Sequence, residues 1–301
     1  MSAFTRRALV SAVLACSSAG AFAMDYGRTP GGFGVSSSGA ANYRIPIWTP
    51  PGPNGITPSI SLSYSSQSGN GLAGVGWHMS AVSSITRCPR TIGQDGADSA
   101  VDLTSSDRFC IGGNRLRLFG GTYGAASSVY FTEFADYSRI TAIGTAGNGP
   151  QYFIVEAKSG LKYEYGNTTD SRVFPGVSPG PIATTPSSWM LNKVYDRNGN
   201  KYVVSYANSG GFARPDVISW TPTSLGAATY QYEAKFNYLT SRADLDSVFG
   251  KIAGYDVANR YRLKKCPGKK RGHRQAEVPI YLRHLDRHIA LATGDGKRMR
   301  R

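Results

Sequence analysis

The chain is poor in acid, in glutamate and in metal-binding residues. It carries 34 Lys+Arg against 19 Asp+Glu, with four histidines and four cysteines. Glutamate occurs only at Glu133, Glu156, Glu164, Glu233 and Glu277. Most aspartates stand in turn contexts, such as Asp95-Gly96, Asp196, and Asp216 after Pro215. Nothing there assembles the paired carboxylates of general acid–base catalysis. A zinc site is disfavoured, because neither Cys88 nor Cys110 has a C-x-x-C partner and His78 is the only histidine of the body. No segment keeps a 3.6-residue period, which argues against a coiled coil or a helical bundle. No segment after the N-terminus is long and apolar enough to be a transmembrane helix.

What is present starts with charge. The formal net charge is +15, and a basic chain ordinarily suggests nucleic acid or anionic lipid. Its distribution points elsewhere. Residues 1–23 carry +2, residues 24–259 carry +2 and residues 260–301 carry +11. The body is nearly neutral, so a nucleic-acid partner is not expected.

The first 23 residues read as a secretory signal. Arg6 and Arg7 form a basic start, Ala8 to Ala15 is a short apolar run, and Ala21-Phe22-Ala23 is an A-x-A site. Cleavage is expected between Ala23 and Met24, giving a secreted protein. Lipoprotein processing at Cys16 is a minor alternative, and the Arg6-Arg7 pair also hints weakly at twin-arginine export. Cys88 and Cys110, 22 positions apart, remain as a candidate disulfide in an oxidising compartment. Closing such a loop stabilises by roughly 3 kcal/mol. Two buried thiols are the alternative.

Residues 24–41 are rich in Gly and Ser and are expected to be loose. Ser59 to Tyr64 then alternates strictly between polar and apolar, as a half-buried strand does. Strands are predicted at 77–85, 116–119, 129–134, 152–157, 162–165, 190–195, 202–206, 217–220 and 230–238, with turn residues between them. The fold class expected is all-β, with multi-stranded antiparallel sheet. Asp196-Arg197-Asn198-Gly199-Asn200 reads as a hairpin turn. The Pro/Gly stretch from Phe174 to Ser188 is the one internal boundary the composition suggests. Ten aromatics on these strands (Tyr163, Tyr165, Tyr195, Tyr202, Tyr206, Trp220, Tyr230, Tyr232, Phe236 and Tyr238) could form a stacking platform for sugars or bases. Ordinary cross-strand packing is the stronger reading.

Other motifs fail on context. Gly69 to Gly74 fits G-x-G-x-x-G, but a turn and strand follow instead of the helix that dinucleotide binding needs. Gly176 to Gly180 fits G-x-S-x-G, but Pro179 after Ser178 has no N–H for an oxyanion hole. His284 and His288 lack the glutamate of a zincin helix.

Several separated motifs occur in order: Tyr43-Arg44-Ile45-Pro46-Ile47, Pro58 to Gly71, Gly74-Val75-Gly76-Trp77, Ile85 to Thr91, and Asp107-Arg108-Phe109-Cys110 with Gly113-Asn114-Arg115-Leu116. They resemble the N-terminal domain shared by the Salmonella virulence plasmid 65 kDa B protein and the insecticidal toxin-complex B/C components, which also opens many RHS/YD-repeat proteins. The resemblance covers about residues 34–263. Tyr195, Asp196 and Gly199 resemble a single YD-type hairpin. The resemblance implies a non-catalytic sheet that starts a hollow shell around or beside a toxin module. It implies other shell or toxin components as partners, and no cofactor. The ADP-ribosyltransferase module of the Salmonella protein uses an E-x-E pair, and no two glutamates here are two apart. That module and a long repeat array are expected to be absent. After Lys265 the resemblance stops in a basic tail, residues 264–301. A shifted reading frame or truncated gene is one explanation, and a basic arm is the other. A carbohydrate- or cell-surface-binding module is the alternative function.

Overall fold

The structure is a computed structural model, and it describes residues 31–224, 226–239, 248–264 and 280–284. The expected signal segment, the Ala23-Met24 cleavage pair, Cys16, Cys266 and His288 lie outside the described residues. Within them the regular secondary structure is almost entirely antiparallel strand.

The first sheet contains β1 (Gly32–Val35), β2 (Ala41–Ile47), β3 (Ile60–Ser65), β4 (Asn70–Gly71), β5 (Gly74–Val75) and β6 (Trp77–Met79). Their spatial order is β1-β2-β3-β6-β5-β4. The expectation of a loose segment over 24–41 therefore fails at Gly32–Val35, which pairs with Ala41–Arg44. Backbone ladder bonds need no side chain, so a Gly-rich stretch can pair once a neighbour holds it. Here the turn is fixed by Ser36 Oγ, which accepts from Ala40 N–H at 3.0 Å, and by Gly39 at φ +79. The G-x-G-x-x-G segment is the tight β4–β5–β6 meander.

The second sheet begins as a barrel. It uses β7 (Ser84–Cys88), β8 (Arg108–Ile111), β9 (Asn114–Gly120), β10 (Val129–Thr132), β11 (Arg139–Ile143), β12 (Tyr152–Glu156) and β13 (Lys162–Tyr165). A two-residue strand, β14 (Arg172–Val173), precedes β15 (Ser188–Tyr195). Strands β7 to β13 pair in sequence order, and β15 closes the ring by pairing with both β7 and β13, making eight strands. A one-turn helix, α1 (Ile92–Asp95), lies between β7 and β8. The Phe174 to Ser188 stretch is the hairpin loop between β14 and β15, whose strands pair Val173 with Ser188. It lies within one sheet and separates no domains.

Strand β15 belongs to two structures at once. Its residues 188–190 pair with β7, and its residues 193–195 pair with β16 (Lys201–Ser209) on the same side. On the other side the partners are β14 and then β13. The ladder with β13 skips Asn192, so two successive residues, Leu191 and Asn192, are buried. Such a bulge bends a strand and sharpens its twist, which lets one strand leave a barrel for an open sheet. The open sheet continues through β17 (Phe212–Pro222) and β18 (Tyr230–Phe236). Short pairs follow: β19 (Tyr238–Leu239) with β22 (Arg262–Leu263), and β20 (Val248–Ile252) with β21 (Tyr255–Asn259). In the basic tail, β23 (Ile280–His284) pairs antiparallel with β18.

Two cores result. Alternating residues of the barrel strands fill its interior, including Ile85, Phe109, Leu116, Tyr130, Phe153 and Trp189. Phe109 meets Phe153 and Trp189 edge-on, each at 5.4 Å between centroids. Gly166, at φ +80, lets the chain pass close over the Trp189 ring, where a Cβ would collide. The second core lies between the first sheet and the open sheet, with Ile60 and Leu62 against Val204, Ile218, Trp220 and Phe236. Five of the ten aromatics considered as a stacking platform are interior: Tyr165, Tyr206, Trp220, Tyr230 and Phe236. Cross-strand packing is thus the main use of these rings.

Candidate functional site

The alternation of β7 places Ile85 and Arg87 on the barrel's inner side and Ser84, Thr86 and Cys88 on its outer side. An arginine pointing into a hydrophobic barrel requires a full set of acceptors, because an unpaired buried charge is strongly destabilising. Arg87 has them. Its Nε donates to Pro186 O at 2.8 Å, Nη1 to Thr104 O at 2.7 Å and Nη2 to Asn148 O at 3.0 Å. Nη1 also pairs with Asp107 Oδ2 at 3.0 Å, and both side chains are 1% exposed. Asp107 accepts in addition from Asp102 N–H at 3.1 Å and Leu103 N–H at 2.9 Å. The guanidinium lies 5.6 Å from the Phe109 ring centroid and 5.8 Å from that of Trp189. Burial lowers the Arg87 pKa and raises that of Asp107, each opposed by the partner. This group ties three separate loops to the barrel wall and acts as a structural plug.

Cys88 and Cys110 form a disulfide with Cα atoms 6.0 Å apart. They lie diagonally on β7 and β8, since Thr86 faces Cys110 and Cys88 faces Arg108. The bridge is on the outside of the barrel and holds the two strands where α1 and its loops leave them.

Just beyond it the barrel opens locally. Strands β8 and β9 pair only at Cys110–Arg115 and Ile111–Asn114, next to their turn. Farther on they separate, and the Tyr123 hydroxyl fills the gap. It accepts from Phe109 N–H at 2.8 Å and donates to Leu116 O at 3.3 Å, replacing one rung of the ladder. Burial is the main cause that raises the Tyr123 pKa. The Arg108 guanidinium stacks 4.7 Å from the Tyr123 centroid. A cleft of about 340 Å³ lies here, walled by α1, Arg108, Arg115, Arg117, Leu118, Tyr123 and Glu133. Asp95 at its base accepts from Arg108 Nε at 2.8 Å and Arg115 Nη1 at 2.7 Å. Burial alone would raise the Asp95 pKa, but Thr91 N–H and the two arginines outweigh it and hold the carboxyl below its ordinary range. Gln94 donates to Glu133 at 2.6 Å. The Arg117 side chain is exposed and makes no hydrogen bond or ion pair among the described residues.

The Tyr195, Asp196 and Gly199 group sits at the β15–β16 turn. Asp196 Oδ1 accepts from the N–H groups of Asn198 at 2.8 Å and Asn200 at 3.0 Å. Its Oδ2 accepts from the side chains of Asn200 and Asn54, each at 2.9 Å. The Asn200 side chain is the first of the contacts that lower the Asp196 pKa. Gly199 turns the chain at φ +84, while Tyr195 lies under Lys193 at 4.5 Å. The contact with Asn54 ties the Pro-rich loop after β2 to the open sheet. The turn therefore joins two sheets and has no part in the β8–β9 cleft.

The sequence motifs with catalytic overtones are not brought together. Ser178 lies in the β14–β15 loop, His78 on β6 and the His284 backbone on β23. No group of three or more His, Cys, Asp or Glu that could hold a metal occurs among the described residues. No helix among them is long and apolar enough to cross a membrane. Sequence reading missed the plug and the cleft. The inward position of Arg87 was available from the Ser84–Cys88 alternation, but its acceptors come from distant loops.

The fold of this chain is similar to part of the toxin-complex proteins. The crystal structure of TcdB2-TccC3 superposes with a TM-score of 0.60 at 15% identity, covering 86% of this chain and 14% of that one. A Photorhabdus luminescens Tc holotoxin pore gives 0.57 at 16% identity, covering 89% and 14%. The chain thus spans a small part of these large proteins. The N-terminal domain of effector protein SpvB from Salmonella typhimurium strain LT2 gives 0.56 at 17% identity, covering 80% of this chain and 88% of that one. Residues 35–98 match the family described as Salmonella virulence plasmid 65kDa B protein. No curated protein sequence matches the chain. The resemblance read from the motifs is found again in both the family match and the fold.

Proposed function

We propose that this chain is a non-catalytic structural domain of a secreted toxin-complex or RHS-type protein, contributing sheet to a shell that carries or encloses a toxin module. The observation that carries this reading is the double membership of β15. A closed, disulfide-held barrel anchors one end of the sheet, and an open sheet extends from the other. That is a suitable start for a wall built by adding strands, since an open edge is a template for further pairing. The interior supports the same reading. The buried Arg87–Asp107 pair is matched to acceptors and the barrel's rings are packed, as a scaffold requires. Export by the N-terminal segment and partnership with other shell or toxin components belong to this proposal.

The test is co-expression of the full chain with an RHS/YD-repeat shell protein from the same genome. Co-purification at fixed stoichiometry, with the chain at one end of a hollow particle under the electron microscope, is expected. Failure to associate, together with specific binding on a glycan array, would replace this reading by that of a surface-binding module.

A further inference from the structure

We propose that the β8–β9 cleft and its aromatic rim form a docking surface for a partner protein segment that presents a carboxylate beside an apolar side chain. The inference stands apart from the shell reading and rests on the barrel surface alone.

Three observations converge. The first is charge. Of the three arginines on the cleft, Arg108 and Arg115 hold Asp95 from both sides, and Arg115 Nη2 also donates to Pro89 O at 2.7 Å. Glu133 is engaged by Gln94. Arg117 has no side-chain partner among the described residues, and the cleft carries one more arginine than carboxylates. The second is apolar exposure. Phe119 is 74% exposed, Phe131 37% and Leu118 41%. Arg117 lies opposite Phe131 in the ladder and two residues from Phe119. The two rings meet edge-to-face at 4.9 Å, so the rim is a formed patch. Adjacent exposed apolar groups of this kind mark binding surfaces. Aromatic side chains beside arginine are the composition of interface hot spots, where rings exclude water and strengthen an ion pair. The third is the local break in the ladder. Only two residue pairs join β8 to β9, so the cleft lies between two separated strands with Tyr123 bridging them.

The occupant is not another part of this chain's termini. Residues 260–301 carry +11 and residues 1–23 carry +2, the same sign as Arg117. A carboxylate-bearing segment of a separate protein is the complement.

A display library of random peptides, selected on the full chain and counter-selected on its Arg117→Glu variant, tests this. The selected peptides are then synthesised and titrated with and without their Asp/Glu residues changed to Asn/Gln. Peptides with an acidic residue next to an aromatic or aliphatic one are expected. Their affinity should fall about tenfold or more in Arg117→Glu, in Phe119→Ser, in the amide versions and on raising salt. The Arg117 side chain makes no hydrogen bond or ion pair among the described residues, so the Arg117→Glu chain should keep its melting temperature, which separates lost binding from lost folding. Enrichment of non-acidic peptides, or equal binding by the variants, overturns the proposal. So does a dimer in sedimentation that Arg117→Glu dissolves, because the occupant would then be a second copy.

Discussion

Replacing Arg87 with methionine is the sharpest probe of the barrel. Methionine fills much of the same space between Phe109 and Trp189 but offers no donor. The change would leave Asp107 with only its two backbone N–H partners. It would also remove the guanidinium donors from Pro186, Thr104 and Asn148 carbonyls. Removing one partner of a buried ion pair costs about 3–5 kcal/mol. Each orphaned carbonyl adds to that, so the upper end of the range is expected. For a body of this size 1 kcal/mol corresponds to about 2–4 °C, so the melting temperature should fall by about 10–20 °C. Urea denaturation followed by tryptophan fluorescence is the assay, because Trp189 lies against the guanidinium. Arg87→Lys should recover only part of the loss, since one ammonium cannot reach all four acceptors. Added salt should leave the difference between wild type and variant unchanged, because a buried pair is little screened. A loss below about 1 kcal/mol, the range of an exposed pair, would refute the plug as described.

Changing Cys88 and Cys110 together to serine should cost about 3 kcal/mol, read as a lower urea midpoint, while thiol labelling of the unreduced wild type should find neither cysteine. Tyr123→Phe removes the hydroxyl that bridges Phe109 and Leu116, and a loss of about 1–3 kcal/mol is expected in the same unfolding assay. The acid limb of stability should depend on Asp196. Its folded pKa lies below the ordinary aspartate value of 3.8, so its contribution is complete above that value and disappears as pH falls through the folded one. Asp196→Asn should therefore lower stability at neutral pH and flatten the decline below about pH 4, measured as melting temperature against pH. The alkaline limb follows from Tyr165, whose pKa burial pushes up to about 12. Stability should decrease as pH rises from 10 through that value, with ultraviolet phenolate absorption of this tyrosine appearing only on unfolding.

Much of this protein is legible without a structure. The sequence pattern predicts β12, β13 and β18 nearly residue for residue and the middle of β16, because each presents one face to a core and the strand period is two. Two cysteines in the body make Cys88–Cys110 the candidate disulfide, and the structure forms it. Splitting the +15 by segment locates the basic excess in the tail and frees the body from a nucleic-acid reading. Ordered motifs between Tyr43 and Leu116 carry the family likeness. Other features arise only on folding. That β15 closes a barrel with one half and founds an open sheet with the other depends on a bulge at Asn192, which alternation does not announce. Gly32–Val35 becomes a strand because β2 is beside it, and its own composition argues for a loop. Arg87 needs Asp107 and carbonyls from three loops, and these meet only when the barrel closes. Tyr123 completes a ladder between strands that its sequence position does not reveal. Local pattern sets which face of a strand is buried, because that is a property of neighbouring residues. Which strands meet, and which charges they enclose, is decided by long-range pairing, because hydrogen-bond and ion-pair partners distant in sequence are specified only by the assembled chain.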